Sequence, residues 1–204
     1  MKIVLASNNA GKLAELQTLF APLGMTLVRQ SELNIPEAAE PFKTFVENAL
    51  AKARHAAQLS GLPALADDAG LCVDAFGGQP GVDTAYYATR FGYPKGDDTN
   101  VTALLAQMQG VTNRRAAMVS TLVAVRSADD PEPLIAVGRV VVQIAPERRG
   151  SNGFGFDPVL FLPEFGKTFA ELPTEVKNAN SHRGRAAQAM LALMRERWLD
   201  GSAA

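Results

Sequence analysis

The sequence predicts an α/β fold with a mixed β-sheet, folded as two lobes around a cleft. Helical and strand patterns alternate along the first half of the chain, and a β-rich segment follows from 116 to 144. Hydrophobic residues make up 47% and charged residues 20% of the 204 residues, so the chain can bury a substantial core. Because there is no internal repeat and no long linker, we expect one domain of two lobes, residues 1–204.

Apolar patterning and turn residues define the predicted elements. Thr44 and Glu47 form a capping-box pattern before an Ala-rich helix, which Gly61 and Pro63 end. Two long β-branched runs joined by a loop at 129–133 predict an antiparallel hairpin. We predict helices at 13–20, 45–59, 101–108 and 181–198, strands at 2–6, 25–28, 64–66, 71–76, 116–125, 134–144 and 159–162, and irregular segments at 32–43, 67–70 and 86–99.

Charge and cysteine content argue against several classes of protein. The formal net charge is −1, which is unlike the basic excess of a dedicated nucleic-acid-binding protein. Cys72 is the single cysteine, so no internal disulfide can form, and we interpret it as a small buried apolar residue. No stretch has the pattern of a signal peptide or the length of a membrane span. We therefore expect a soluble cytoplasmic protein with neither nucleic acid nor membrane as a partner.

The first strand leads directly into a loop suited to phosphate. Ser7–Lys12 reads Ser-Asn-Asn-Ala-Gly-Lys and precedes an amphipathic helix. The free N–H groups and the dipole of a helix N-terminus attract anions, Gly11 permits close approach, and Lys12 adds a positive charge. The spacing differs from that of the Walker P-loop. The alternative interpretation is an ordinary strand-to-helix turn capped by Asn9.

A pair of acids follows the third predicted strand. Asp67 and Asp68 come at a strand end, where open α/β sheets bind ligands, and adjacent residues of an extended chain point to opposite sides. Glu40 and Glu47 can complete a set of oxygen ligands of the kind that Mg²⁺ prefers, and no His/Cys cluster indicates zinc. The alternative is a turn or N-cap with two solvated acids.

Two later motifs offer groups for a nucleotide, and the first of them suits a planar base. The first, Gly153–Pro158, interleaves two glycines with two phenylalanines and offers backbone N–H groups beside flat rings. The second comprises Lys177 and Ser181–Gly184, which place an ammonium, an imidazole and a guanidinium near a helix start. The alternatives are a β-hairpin turn with core phenylalanines and, for His182, an ordinary surface residue.

Together the motifs predict a nucleoside triphosphate site. In their type and order they resemble the motifs of the inosine triphosphate pyrophosphatase family. Members of this family hydrolyse ITP, dITP and XTP to the monophosphate and pyrophosphate, which removes these nucleotides from the cellular pool. The resemblance extends from Ile3 to about Met194. It is carried by six motifs in family order, namely Ser7–Lys12, Thr44–Ala53, Ala66–Leu71, Gly78–Val82, Gly153–Pro158 and Ser181–Gly184.

The resemblance implies an elongated mixed sheet with a central nucleotide-binding cleft, a homodimer, and dependence on Mg²⁺. It also implies that Asp68 is the catalytic carboxylate and a metal ligand, with Glu40 as a second metal ligand. Which of Asp67 and Asp68 contacts the metal directly stays open. The implied substrate contacts are, on the phosphate side, Ser7, Asn8, Asn9, Ala10, Gly11, Lys12, Lys52 and the backbone of Ala69, and on the base and sugar side, Phe154, Gly155, Phe156, Asp157, Lys177, His182 and Arg183.

The motifs also predict which purine base is preferred, and they argue against two alternative functions. We expect N–H donors of the Phe154–Asp157 loop and the His182–Arg183 turn to pair with a purine 6-keto oxygen and to disfavour ATP. A Maf-like nucleotide pyrophosphatase would have Ser-x-Ser-Pro-Arg-Arg in the first loop, unlike this chain. A nucleotide sensor without turnover would lack the acidic pair, which is present here. The chain departs from the family pattern at Ala69, where Ser is common, and at Tyr86, where Arg is expected.

Overall fold

Helices and strands alternate as the sequence predicts. The computed structural model describes residues 1–21 and 24–199, so the last five residues of the predicted 1–204 domain lie outside the described part. The helices are α1 Ala10–Phe20, α2 Phe45–Ser60, α3 Asp97–Gln107, α4 Thr174–Asn180 and α5 His182–Met194, and a π-helical turn, Arg195–Leu199, follows. The strands are β1 Lys2–Leu5, β2 Thr26–Arg29, β3 Ala64–Val73, β4 Gln79–Pro80, β5 Arg115–Val125, β6 Leu134–Ile144, β7 Leu160–Leu162 and β8 Lys167–Thr168.

The strands of the described residues form one mixed sheet. Its order is β2-β1-β3-β5-β6-β7-β8, and β4 pairs with β3 outside this path. Strand β1 is parallel to both β2 and β3, whereas β4 is antiparallel to β3, β7 to β6 and β8 to β7. Strands β5 and β6 are neighbours, as the predicted hairpin requires. The prediction of an α/β fold with a mixed, helix-flanked sheet is therefore confirmed.

The acidic segment after Ala66 is not the predicted loop. Strand β3 runs without interruption through Asp67–Gly70, so the predicted strands 64–66 and 71–76 are largely one strand. The Asp-Asp-Ala-Gly sequence favours a turn locally. That preference is overridden because the Asp67 and Asp68 side chains are buried against lysine and arginine side chains from helices, described below.

Other boundaries differ in smaller ways. Helix α2 begins after Thr44 and ends at Gly61, which adopts a left-handed conformation, as predicted. Helix α3 begins four residues before the predicted start. A 3-10 helix, Gly81–Phe91, overlaps the first part of the segment 86–99 that was predicted to be irregular. Helix α4 was not predicted, because its polar sequence has no clear apolar periodicity.

The described residues form two compact units, each with its own core. The first unit comprises residues from 1–68, 120–138 and 182 onward. Its core packs β1, α1 and α5 around Leu16, Phe20 and Met190. The second unit comprises 69–119 and 139–181, and its core includes Leu104, Leu160 and Phe169.

In the first unit, a glycine brings the start of α5 close to the sheet. A Cβ atom added at Gly138 of β6 would lie 1.9 Å from the carbonyl oxygen of His182 and 2.5 Å from the backbone nitrogen of Ala186. Any larger residue would therefore push α5 away from β6. This close packing fixes the position of the two side chains that begin α5, His182 and Arg183.

Candidate active site

A buried ion-pair network surrounds Asp67 in the first unit. Its Oδ2 atom lies 2.9 Å from Nε of Arg183 on α5 and 3.2 Å from Nζ of Lys12 on α1, and its Oδ1 atom accepts a hydrogen bond from Ser120 on β5 at 2.7 Å. Burial by itself would raise the pKa of Asp67, but the neighbouring guanidinium and ammonium hold it well below its usual range. Asp67 is therefore a fixed negative charge.

The Arg183 guanidinium is held on a second side as well. Its Nη1 atom lies 2.6 Å from Oε2 of Glu15, one turn after Lys12 on α1. Arg183 thus joins two helices and the central strand by charge-assisted hydrogen bonds. His182, the preceding residue, is also buried. The predicted role of Arg183 as a donor to the base requires N–H groups beyond the two that Asp67 and Glu15 occupy.

Asp68 points to a different set of partners, as expected for adjacent residues of a strand. Its Oδ1 atom lies 3.0 Å from Nζ of Lys52 on α2, and the same ammonium lies 2.9 Å from Oε2 of Glu40. Burial would lower the pKa of Lys52, but these two carboxylates raise it. The pKa of Asp68 is raised, because burial and the charge of Glu40 outweigh the opposing charges of Lys52 and Lys12.

Lys12 and Lys52 meet at one backbone atom. Both ammonium groups donate to the carbonyl oxygen of Asp67, at 3.3 and 3.2 Å. Burial lowers the pKa of Lys12 despite the nearby Asp67 carboxylate. The structure therefore gathers two lysines around Asp67 and Asp68, the second of which is the predicted catalytic carboxylate.

The predicted metal ligands are only partly brought together. Among the residues that the structure describes, the Oδ2 atom of Asp68 is buried and has no hydrogen-bond partner. A buried carboxylate oxygen without a partner is costly, and a bound cation would satisfy it. Asp68 and Glu40 both contact Lys52, so these two residues fit a magnesium ion that is otherwise bound by water and substrate oxygens.

Glu47 does not join them. It stabilises the start of α2 instead, where its Oε2 atom accepts a hydrogen bond from the Thr44 hydroxyl at 2.5 Å and its backbone N–H donates to Thr44 Oγ1. Within 1–21 and 24–199, no group of three or more His, Cys, Asp or Glu side chains is arranged to hold a metal ion. Of the two glutamates that the sequence offers as ligands, the structure places Glu40 beside the Lys52–Asp68 pair and Glu47 at the cap of α2.

The start of α1 contains the capped turn that the sequence analysis gives as the alternative, and phosphate binding there stays a prediction. The Asn9 side chain caps the helix by accepting from the Lys12 N–H at 3.0 Å, which is the ordinary turn. Ser7 accepts from the Asn9 N–H, and Asn8 donates to Glu37 at 3.0 Å. Ala10 and Gly11 already belong to the first helical turn, where N–H groups are without intrahelical partners.

The aromatic loop lies in the second unit and is fixed by a buried ion pair. Oδ2 of Asp157 accepts from the Phe154 N–H at 2.9 Å and lies 2.7 Å from Nζ of Lys177 on α4. The same ammonium lies 4.7 Å from the centre of the Phe154 ring. Gly153 has a φ of +79°, and a Cβ atom there would lie 2.0 Å from Asp157 Oδ2. The structure thus brings together Phe154, Asp157 and Lys177, as predicted.

Two features of this loop differ from the prediction. Phe156 is buried in the core of the second unit, which is the alternative that the sequence analysis left open for the phenylalanines. The N–H groups of Phe154 and Gly155, predicted to be donors for a base, already donate to Asp157 and to Oδ2 of Asp97, the latter at 3.1 Å. Ala69, also in this unit, is a half-buried residue of β3.

Sequence reasoning missed three residues of these networks. Ser120 is a fully buried polar residue in a largely apolar strand, and this contrast is a signal that the sequence contains, although Thr121 beside it shares it. Glu15 and Asp97 carry no such signal, because each is an ordinary acidic residue on a helix. Only the packing of the helices reveals their partners.

Known proteins resemble this chain over nearly its whole length. The sequence profile of the Ham1 family matches residues 3–193. The chain belongs to the Ham1 family. Proteins named dITP/XTP pyrophosphatase from Paracidovorax citrulli and Albidiferax ferrireducens are 80% and 78% identical to this Ham1 family member, over 97% and 98% of its length and 100% of theirs.

Solved structures lead to the same family. A HAM1 protein from Coxiella burnetii superposes on this Ham1 family member with a TM-score of 0.88 and 41% identity, covering 96% of this chain and 99% of the other. A structure from Mycobacterium abscessus named nucleoside-triphosphatase / dITP/XTP pyrophosphatase has a TM-score of 0.73 and 40% identity over 94% of this chain. The family predicted from six sequence motifs is confirmed.

Proposed function

We propose that this chain hydrolyses non-standard purine nucleoside triphosphates, namely ITP, dITP and XTP, to the nucleoside monophosphate and pyrophosphate. The observation that carries the proposal is the buried array on β3, where two adjacent carboxylates face lysine and arginine side chains from three helices. Relatives that are 80% and 78% identical are named dITP/XTP pyrophosphatase, which supports the same substrates.

The triphosphate end is assigned to the first unit. Cleavage of a triphosphate depends mainly on positioning and on neutralising charge at the phosphate oxygens. Lys12 and Lys52 supply the positive charge, and the first-turn N–H groups of α1, including those of Ala10 and Gly11, supply further donors. Asp67 orders both lysines, because each donates to its carbonyl oxygen.

Magnesium is the proposed cofactor, held by Asp68 and Glu40. The unpartnered, buried Oδ2 atom of Asp68 is the observation that supports it. Two carboxylates are enough, because Mg²⁺ in nucleotide sites is commonly bound by one or two carboxylates plus phosphate oxygens and waters. When bound, the ion supplies Lewis-acid stabilisation of charge on the phosphate oxygens.

Asp68 is the proposed catalytic base. It orients a water molecule and accepts its proton during attack at the α-phosphorus, so that pyrophosphate leaves. Lys52 holds the Oδ1 atom of Asp68 at 3.0 Å and thereby fixes the direction of the carboxylate. A base must be rigidly placed for this step, and Asp68 is 5% exposed in the middle of a strand.

The base is assigned to the aromatic loop of the second unit. The Phe154 ring offers a stacking surface, and the Lys177 ammonium next to it is the proposed donor to the purine 6-keto oxygen. An amino group at the same position, as in ATP, would face this cation with its own donors. The arrangement therefore favours hypoxanthine and xanthine over adenine.

A direct test is the release of pyrophosphate from a panel of ITP, XTP, dITP, GTP and ATP, each with Mg²⁺ and with EDTA. We expect pyrophosphate from the first three in Mg²⁺ only, and a kcat/KM for ITP about a hundredfold or more above that for ATP. Binding of ITP without turnover would indicate a sensor instead. Release of orthophosphate would contradict the reaction class, and equal values for ITP and ATP would contradict the Lys177 assignment.

Assembly and location are further parts of the proposal. Within the described residues, no helix has the length and apolar character needed to span a membrane. We propose that the chain is a cytoplasmic homodimer, as the family resemblance implies. Light scattering coupled to gel filtration gives the mass in solution directly, and a mass near that of one 21.7-kDa chain would contradict the dimer.

A further inference from the structure

The two peptide groups on either side of Phe154 are held by carboxylates from different elements. The Phe154 N–H donates to Asp157 within the same loop at 2.9 Å. The next N–H, that of Gly155, donates at 3.1 Å to Oδ2 of Asp97, the first residue of α3. Asp97, Phe154 and Gly155 also line one surface pocket of about 360 Å³ in the second unit.

Contacts within the loop and the contact with α3 together hold its conformation. Gly153 and Gly155 have φ values of +79° and +62°, and glycine moves readily between backbone conformations. The direction of the Phe154 ring depends on the two peptide planes that flank its Cα atom. One of these planes is fixed by the Asp157–Lys177 pair inside the loop. In the other plane, the Phe154 carbonyl oxygen accepts from the Asp157 N–H at 3.3 Å, and the Gly155 N–H ties the plane to Asp97 of α3.

We propose that Asp97 is a positioning residue for recognition of the purine base, acting through the Gly155 N–H and the Phe154 ring. The inference rests on the proposed function, because it assigns Asp97 to the base-binding loop of that site. Its carboxylate holds the loop in the conformation that receives the base. The loop therefore loses less conformational entropy on binding than it would without Asp97. Asp97 itself does not contact the reacting atoms.

A competing role for Asp97 would change KM in the opposite direction. If the keto oxygen of the base had to replace Asp97 at the Gly155 N–H, the carboxylate would compete with the substrate. Removing it would then lower KM. The positioning role that we propose predicts that removing the Asp97 carboxylate raises KM.

The test compares two adjacent acids in the first turn of α3. Asp97→Ala removes the acceptor for Gly155, whereas Asp98→Ala removes a carboxylate that binds Arg148 instead, at 3.0 Å. Both substitutions remove one negative charge from the same helix N-terminus, so the effect on the helix dipole is matched. We expect Asp97→Ala to raise KM for ITP about fivefold, the size of losing one exposed hydrogen bond, with kcat changed less than about twofold. Asp98→Ala leaves both near the wild-type values.

Two further measurements separate positioning from a general loss of structure. Asp97→Asn keeps a carbonyl oxygen that can accept from Gly155, so it restores most of the wild-type KM. Inorganic tripolyphosphate, which has no base, inhibits wild type and Asp97→Ala with the same inhibition constant. Hydrogen exchange of the 153–157 segment is faster in Asp97→Ala than in Asp98→Ala at equal thermal stability.

The outcomes distinguish this inference from the proposed function. If wild-type protein releases no pyrophosphate from ITP, the proposed function is wrong, and hydrogen exchange alone then tests whether Asp97 holds the loop. If wild type is active and Asp97→Ala has the same KM as Asp98→Ala, the inference is wrong although the function stands. A lower KM in Asp97→Ala, or an equal weakening of tripolyphosphate inhibition, also overturns it.

Discussion

The two units hold their candidate functional residues in different ways. In the first unit, Asp67 and Asp68 lie within a regular strand, their side chains are 0% and 8% exposed, and their partners come from helices. In the second unit, the Phe154 ring lies on an irregular loop with two left-handed glycines, held by one buried ion pair and one exposed hydrogen bond.

This difference indicates how each part responds to change. A buried network of charges tolerates few substitutions, because removing one charged residue leaves its partner unpaired and shielded from water. A loop held by separate short-range contacts loses its shape gradually, since each hydrogen bond contributes only a small free energy. We therefore expect substitutions near β3 to abolish activity or stability, and substitutions in the aromatic loop to change affinity by smaller factors.

The largest expected effect is on catalysis by Asp68. Asp68→Asn keeps the size of the side chain but removes the base, and we expect kcat to fall by about 10³-fold with the fold intact. Asp129→Asn, an exposed acid on the β5–β6 loop of the same unit, is the matched control and keeps its activity. Steady-state pyrophosphate release measures both. An Asp68→Asn variant with near-normal kcat would mean that another group is the base.

The next effect is on stability through Arg183. Arg183→Met leaves Asp67 and Glu15 as buried acids without their guanidinium, and we expect a loss of about 3–5 kcal/mol in the free energy of unfolding. Arg126→Met is the comparison, because Arg126 pairs with a single acid, Asp130, and its own side chain is 51% exposed, so we expect a smaller loss of roughly 1–2 kcal/mol.

Urea denaturation measures this pair of variants. If Arg183→Met is too unstable to purify, Arg183→Lys is the substitute. It keeps the positive charge but not the paired contacts with Asp67 and Glu15, so it shows a smaller loss in the free energy of unfolding. Equal losses for the Arg183 and Arg126 variants would contradict the view that the network in the first unit is tightly constrained.

A pair of glycines sharpens the comparison in the second unit. Both Gly153 and Gly155 have positive φ, so either alanine variant is strained by about 1 kcal/mol. Gly153→Ala additionally places a methyl group 2.0 Å from Asp157 Oδ2, whereas nothing lies within 4 Å of the same position at Gly155. We expect Gly153→Ala to raise KM for ITP more than Gly155→Ala does. Similar KM values would indicate that the Asp157–Lys177 pair does not set the shape of the loop.

The smallest expected effect concerns acid stability in the first unit. Hydrogen bonds from Arg126 hold the pKa of Asp130 at about 2, below its ordinary value of 3.8. A carboxyl group whose pKa is lower in the folded state stabilises the protein above the ordinary value, and that contribution is lost as the pH falls from about 4 to about 2. We expect Asp130→Asn to remove roughly 1–2 kcal/mol at pH 6 and almost nothing at pH 2. Denaturation at both pH values checks this, and a pH-independent difference would contradict it.

Local signals in the sequence predict the parts of the molecule that local interactions determine. The Thr44 cap and Gly61 define α2 because both act within one helical turn. The residue types of the site were also predictable, since Asp68, Lys12 and Lys52 occur in motifs that suit phosphate and metal. The Asp67–Gly70 segment was predicted to be a loop because its ion pairs with Lys12 and Arg183 join residues 55 and 116 positions away. Contacts over such distances have no local signal, and the same reason explains why Glu15 and Asp97 were missed.

The position of the water attack is the central claim, and hydrolysis of ITP in ¹⁸O-labelled water tests it most directly. If Asp68 directs water to the α-phosphorus, mass spectrometry finds the label in the nucleoside monophosphate and none in the pyrophosphate. Label in pyrophosphate would place the attack on the β-phosphorus. Label in orthophosphate would mean that the chain removes the terminal phosphate. Either result would contradict the proposed geometry of catalysis at β3.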